Sequence, residues 1–228
     1  MSNFANHDSI NTSTEELTIE VEKQRTIYNF SKRSLDITGA MLGLVILSLI
    51  FFIVAIVIKL EDPKGPIFFS QKRVGKDGKE FKMYKFRSMV VNAEDKLQEL
   101  IKYNEVSGAM FKMKDDPRIT TIGKFIRKTS IDELPQLLNV LKGDMSLVGP
   151  RPPLPREVAE YSNYDKQRLL VMPGCTGLWQ VSGRSNLTFQ QMVELDLYYI
   201  KNRSISFDIK LIFKTIIVLS GINKNGAY

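Results

Sequence analysis

Two adjacent carboxylates lie in Ser130-Ile131-Asp132-Glu133-Leu134-Pro135, and an arginine locked between prolines follows in Gly149-Pro150-Arg151-Pro152-Pro153. Paired acids of this kind can coordinate Mg²⁺, which prefers hard oxygen ligands, attack phosphorus, or move a proton. Prolines on both sides fix the backbone at Arg151 and preorganise its fork for the paired oxygens of a phosphate. The acids also have a plainer use. Ser130-x-x-Glu133 fits a capping box, and an acid in a first helical turn gains roughly 0.3–1 kcal/mol from the helix dipole. With Ser130 as the cap, Pro135 would fall past the first turn, where its missing N–H costs a hydrogen bond. A helix starting near Asp132 puts Pro135 in the first turn and both carboxylates at its tight start, with Gly143 ending it.

The other side chains narrow the chemistry. The one histidine, His7, lies in a polar leader, so acid–base or nucleophilic work in the body falls to carboxylates, Lys or Tyr. Cys175 is alone, which rules out an intrachain disulfide and fits a reducing compartment; it reads as a small buried apolar residue. Five of the 25 acids (Asp8, Glu15, Glu16, Glu20, Glu22) fall in residues 1–22, which hold no Lys or Arg, leaving 20 acids against all 32 basic residues in the remainder. Such a body suits anionic lipid headgroups and anionic substrates such as nucleotides. No basic stripe interleaved with aromatics points to nucleic acid.

These groups need an element to place them. Residues 37–58 carry no charge and only Thr38 and Ser48 as polar side chains. At ~1.5 Å per residue a helix of that length spans about 33 Å, enough to cross a bilayer's hydrocarbon. Its flanks are both basic, Lys32 and Arg33 before it and Lys59, Lys64, Lys72, Arg73 and Lys76 after it, whereas a simple span leaves one flank depleted. A re-entrant helix that bends and returns resolves the conflict, with the Ser48 hydroxyl bonding the Leu44 carbonyl at the bend. A straight span is the alternative. Lys32, Arg33 and Asp36 form the anchor flank, two headgroup cations and an acid able to pair with them.

Beyond it, residues 66–71 and 80–86 flank a turn with Gly75 and Asp77-Gly78, a β-hairpin whose apolar parity slips between Met83 and Tyr84 and so predicts a bulge or strand end there. Asn92 is expected to cap a helix to about residue 104, and Ile119, Ile122, Phe125 and Ile126 mark another short one. Thr188-Phe189-Gln190-Gln191 opens a helix by a capping box. On its apolar face lies Asp196, either in a structural salt bridge or in a site. Residues 207–219 are apolar over most of their circumference and suit a bilayer interface.

The motifs Lys32-Arg33-x-x-Asp36, Tyr84-Lys85-Phe86-Arg87-Ser88-Met89, Asp132-Glu133-Leu134-Pro135-Gln136, residues 143–152, Pro173-Gly174-x-Thr176-Gly177-Leu178-Trp179-Gln180 through Arg184, and Glu194-Leu195-Asp196-x-Tyr198-Tyr199 stand in one order. In them the chain resembles the monotopic phosphoglycosyl transferases, the bacterial sugar transferase family, over about residues 31–219. The resemblance implies transfer of a sugar 1-phosphate, galactose or glucose 1-phosphate, from a UDP-sugar to undecaprenyl phosphate with Mg²⁺ and release of UMP. That is the first membrane step of exopolysaccharide or capsule synthesis. By the same resemblance Asp132 is the nucleophile of a covalent phosphosugar step and Glu133 assists with metal or proton. Lys85, Arg151, Asp196 and Arg184 are implied as substrate- or phosphate-binding residues. One departure stands out: the family places Ser-Pro at the bend, and here Ser48 precedes Leu49.

The implied fold is α+β and mainly helical: a monotopic membrane protein with an N-terminal re-entrant or spanning helix, a small β-hairpin and interfacial amphipathic helices. Its expected divisions are a disordered acidic leader over 1–30, the membrane helix over 31–60, a catalytic domain with interfacial helices over 61–221 on the cytoplasmic face of the cell membrane, and a tail over 222–228. Partners by this reading are the UDP-sugar, undecaprenyl phosphate, membrane lipids and downstream glycosyltransferases. The alternative is a membrane-anchored scaffold of a polysaccharide assembly complex, in which the acid pair only caps a helix.

Overall fold

The first helix, α1 (Thr26–Ile46), breaks at Leu47 and resumes as α2 (Ser48–Glu61), bent by 59° from the line of α1. This computed structural model describes residues 26–93, 95–103, 113, 115–183 and 187–220. No proline makes the bend. Leu47 sits at φ −90°, ψ 3°, and the Ser48 hydroxyl donates to the Val45 carbonyl at 2.8 Å, one residue on from the expected Leu44. Among the described residues no single helix is long and apolar enough to cross a membrane; the two qualify only as a bent pair. Met41, Val45, Ile46, Leu49 and Phe52 around the bend are each more than half exposed, an apolar surface that water does not favour. Helix α1 begins at Thr26, inside the stretch expected as leader; residues 1–25, with His7, lie outside the described residues.

Both ends of this bent pair are tied to one folded body. At its start Lys32 pairs with Asp208 at 2.9 Å, and Arg33 donates to the carbonyls of Val140 (2.6 Å) and Leu141 (2.9 Å). Asp36 accepts from the Ser146 hydroxyl and the Leu147 N–H, each at 2.9 Å. These side chains are thus spent on the protein interior, and Asp36 answers Ser146 and Leu147 instead of its own helix. At the other end Glu61 accepts from the Thr121 N–H at 2.8 Å, at the start of α3 (Thr121–Lys128).

Strands β1 (Phe68–Val74) and β2 (Glu80–Phe86) pair antiparallel from Phe68–Phe86 to Val74–Glu80 without a break. Neither the expected bulge nor a strand end falls at Met83–Tyr84. Both faces of β2 are covered, so consecutive apolar residues fit a regular strand: Met83 is buried with Ala40, Val140 and Met145, while Tyr84 on the opposite face receives Lys142 on its hydroxyl at 2.6 Å. Asn92 is no helix cap either. It takes the left-handed conformation at φ 64° in a turn, which Asn tolerates, and a single α-turn follows at Leu97–Leu100; residues 104–112 lie outside the described residues.

Helix α4 (Gln136–Lys142) is followed by β3 (Ser146–Val148), which pairs in parallel with β4 (Gly174–Thr176). Helices α5 (Phe189–Asn202) and α6 (Ile205–Leu219) complete a mainly helical α+β fold. The capping box at Thr188 is present, its hydroxyl accepting from the Gln191 N–H. Helix α6 is capped by Ser204 and keeps Phe213 and Ile216 exposed. Leu211 on its inner side packs with Val148, Tyr199 and Ile200, and Val54 and Ile58 of α2 pack with Phe86 and Ile126.

Candidate active site

The carboxylate pair sits in a 3-10 turn, Ile131–Glu133, and α4 starts only after Pro135. Ser130 stands at φ 56° and its side chain makes no capping bond, so the capping-box reading fails. Pro135 precedes the helix, where its missing N–H leaves no bond unmade. The turn gives the two acids different surroundings. Glu133 accepts from Lys85 at 2.7 Å and lies 3.6 Å from Arg151, both contacts on Oε1. Asp132 is buried, with Lys85 4.0 Å away.

Burial works against the Glu133 charge, yet Lys85 and Arg151 outweigh it and hold the carboxyl at about 2. For Asp132 burial prevails over the pull of Lys85, and the Glu133 charge adds to it, so its carboxyl is raised above the ordinary range.

Arg151 is held from two sides. Gly149 donates to the Thr176 carbonyl at 2.8 Å and Gly174 donates to the Pro150 carbonyl at 2.9 Å. A Cβ on Gly174 would lie 2.0 Å from the Gly149 nitrogen, so only glycine lets these backbones meet. From β1, Val74 donates to the Pro153 carbonyl at 2.9 Å and buried Arg73 donates to the Pro152 carbonyl at 3.1 Å. Burial and the neighbouring Arg151 charge lower Arg73 to about 10.

Asp132, Lys85 and Arg151 open on one cavity of about 850 Å³, a size that admits a nucleotide sugar. Eight basic side chains line it against four acidic ones, which favours a polyanion. Asp196 is not among that group. It is fully buried and pairs with Arg168 at 2.6 Å, and it is Arg168 that lines the cavity, with its Nη1 donating to the Tyr161 hydroxyl. Arg184 lies outside the described residues.

Sequence reasoning overlooked Arg73, Arg118, Arg127 and Arg168, all on the cavity wall. Nothing local marks them except Arg118, which follows the chain-breaking Asp115-Asp116-Pro117 and grips Asp116 at 2.6 Å. Among the described residues no three His, Cys, Asp or Glu side chains gather as a metal cage. Mg²⁺ needs no cage, since it binds through one or two carboxylates, waters and substrate phosphates, and the oxygens of Asp132 and Glu133 fit that demand.

Residues 27–221 match the family described as bacterial sugar transferase. The chain belongs to the bacterial sugar transferase family. Among its relatives in that family, the galactosyl transferase CpsE of Streptococcus agalactiae serotype III is 54% identical over 193 residues, 84% of this chain and 42% of that protein. The undecaprenyl-phosphate galactose phosphotransferase of Salmonella typhimurium is 45% identical over 203 residues, 87% of this chain and again 42% of the relative. The exopolysaccharide production protein ExoY of Sinorhizobium fredii is 42% identical over 196 residues, 84% of this chain and 86% of ExoY. The chain therefore spans less than half of the first two relatives and most of the third.

Proposed function

We propose that this sugar transferase moves a sugar 1-phosphate, galactose or glucose 1-phosphate, from a UDP-sugar to undecaprenyl phosphate at the cytoplasmic face of the cell membrane. This step would begin exopolysaccharide or capsule synthesis. The observation that carries the reading is the buried Asp132, set beside Lys85 and the pinned Arg151 in a basic cavity. An Asp132 oxygen attacks the phosphorus bearing the sugar, the bond from that phosphorus to the bridging oxygen breaks, and UMP leaves with the electron pair. An oxygen of undecaprenyl phosphate then attacks the acyl phosphate, takes the sugar 1-phosphate and restores the Asp132 carboxylate.

Burial suits Asp132 to this work, since a poorly solvated carboxylate of raised basicity is the better nucleophile. Glu133, fixed as an anion, holds Lys85 in place. Arg151 and Lys85 face the charge that builds on the phosphoryl oxygens. Mg²⁺, held through Asp132 and Glu133 oxygens, would neutralise pyrophosphate charge. Arg168, held by Asp196, extends the basic wall.

The bent pair α1–α2 is read as a re-entrant anchor, because Lys32, Arg33 and Asp36 at one end and Glu61 at the other bond to the same body. The domain from 61 onward then lies on one face, with α6 at the interface. The lipid's tail stays in the bilayer while its phosphate meets the soluble nucleotide at the surface.

The test is protein purified with Mg²⁺ and given UDP-galactose or UDP-glucose without lipid acceptor. It should release about one equivalent of UMP, the burst of a covalent step, and Asp132→Asn should release none. UMP appearing only with undecaprenyl phosphate would overturn the covalent route. No UMP with lipid and any UDP-sugar would leave a scaffold.

A further inference from the structure

The loop leaving α2 is bound to the strand that carries Lys85. Arg87, two residues beyond Lys85, donates through Nη1 to Asp62 Oδ2 at 2.9 Å and through Nη2 to the carbonyls of Ile58 (3.4 Å) and Asp62 (3.1 Å). Asp62 Oδ1 meanwhile accepts from the N–H groups of Lys64 and Gly65, each at 3.2 Å. Lys59 closes the loop on the carbonyls of Pro63 and Gly65, each at 3.0 Å. A Cβ on Gly65 would lie 1.2 Å from Arg87 Nη1, so the guanidinium occupies space that any other residue would fill. Behind it Phe86 packs on Phe51 of α2 with ring centres 5.1 Å apart. The exit of α2 is therefore fastened to the strand that carries Lys85 on the cavity wall.

We propose that the Arg87–Asp62 pair, seated over Gly65, sets the height of the carboxylate pair above the bilayer and so aligns the lipid acceptor, as a set of positioning residues for the second transfer. This rests on the transferase reading given above. The donor comes from water and meets the cavity at any depth. The acceptor's phosphate is held at the headgroup plane by its tail, so a small vertical shift misaligns only the lipid step.

The test uses the full chain in lipid nanodiscs with undecaprenyl phosphate and whichever of UDP-galactose and UDP-glucose the wild type accepts. Asp62→Asn keeps an acceptor for Lys64 and Gly65 but removes the charge facing Arg87, and Gly65→Ala evicts the guanidinium. Exchange of labelled UMP into the UDP-sugar reads the first half-reaction, and product lipid reads the whole. Exchange should stay within about twofold of wild type while lipid transfer falls about tenfold or more, the scale of effect expected from a misplacement near 1 Å. Equal loss of both, or loss of neither, overturns the inference.

Trp179, the one tryptophan, lines the cavity, so quenching by lipids brominated at set depths reports cavity height without turnover. Both variants should shift that profile, and an unshifted profile overturns the inference even where transfer falls. A wild type that shows no exchange would sink the covalent step alone, and the quenching profile would still decide the clamp.

Discussion

At positions 132 and 133 one carboxyl is raised by burial and its neighbour is drawn down to about 2 by Lys85 and Arg151 against burial. Groups pushed apart in this way take separate roles. The nucleophile proposed at Asp132 must be ionised, so turnover should fall as pH drops through its raised value, above the ordinary 3.8. Glu133→Gln removes a neighbouring negative charge and should move that acid limb to lower pH, read from kcat/KM against pH with UDP-sugar. Glu133 enters through stability instead of turnover. Its depressed carboxyl contributes stability above the ordinary 4.5, lost as pH falls toward about 2, and the Gln variant should flatten that loss in thermal melts. Arg151 announced itself through its flanking prolines, whereas Arg73 and Arg168 did not, because their neighbours come from other segments.

Elements turn these residues into a site, and Asn139 on α4 is the clearest case. Fully buried, it donates to the Lys82 carbonyl at 2.7 Å and accepts from the Tyr84 N–H at 3.0 Å, pinning β2 beside Lys85. Asn139→Ala would leave both backbone groups unpaired and should cost about 3 kcal/mol, measured by urea unfolding in detergent. It should also weaken the hold on Lys85, so UMP release falls with it. The bend makes a second test. Leu49 lies in the first turn of α2, and a proline there pushes on Ser48 where the chain already turns. Leu49→Pro should therefore fold and exchange UMP like wild type, whereas Leu44→Pro, inside α1, should lose about 3 kcal/mol and much of its folded yield.

For the whole molecule, the decisive relation is that the start of α1 and the end of α2 grip one body. Breaking a buried pair such as Lys32–Asp208 leaves an uncompensated charge, so this grip is costly to give up. Cysteines placed at Ile27, which is 85% exposed, and at Lys76 on the hairpin turn should both react with a membrane-impermeant thiol probe from the cytoplasmic side. The native Cys175 should stay silent, since burial pushes its thiol up. Ile27 labelled only from outside would mean a straight span.

Much of this was local enough to read from the chain. An uncharged 22-residue run, a Gly-Lys-Asp-Gly turn between apolar stretches, a Thr-x-x-Gln cap and an arginine between prolines each act through neighbours in sequence, so their types and spacing sufficed. What stood beyond reach depends on long-range packing. The bend angle, the regular β2 under an irregular apolar pattern, the 3-10 turn in place of a capped helix, and Asp196 buried against Arg168 follow from what covers each segment. Charge placement is the sharpest instance: the same two carboxylates would titrate alike in an unfolded chain, and only tertiary contacts bury one while surrounding the other with cations.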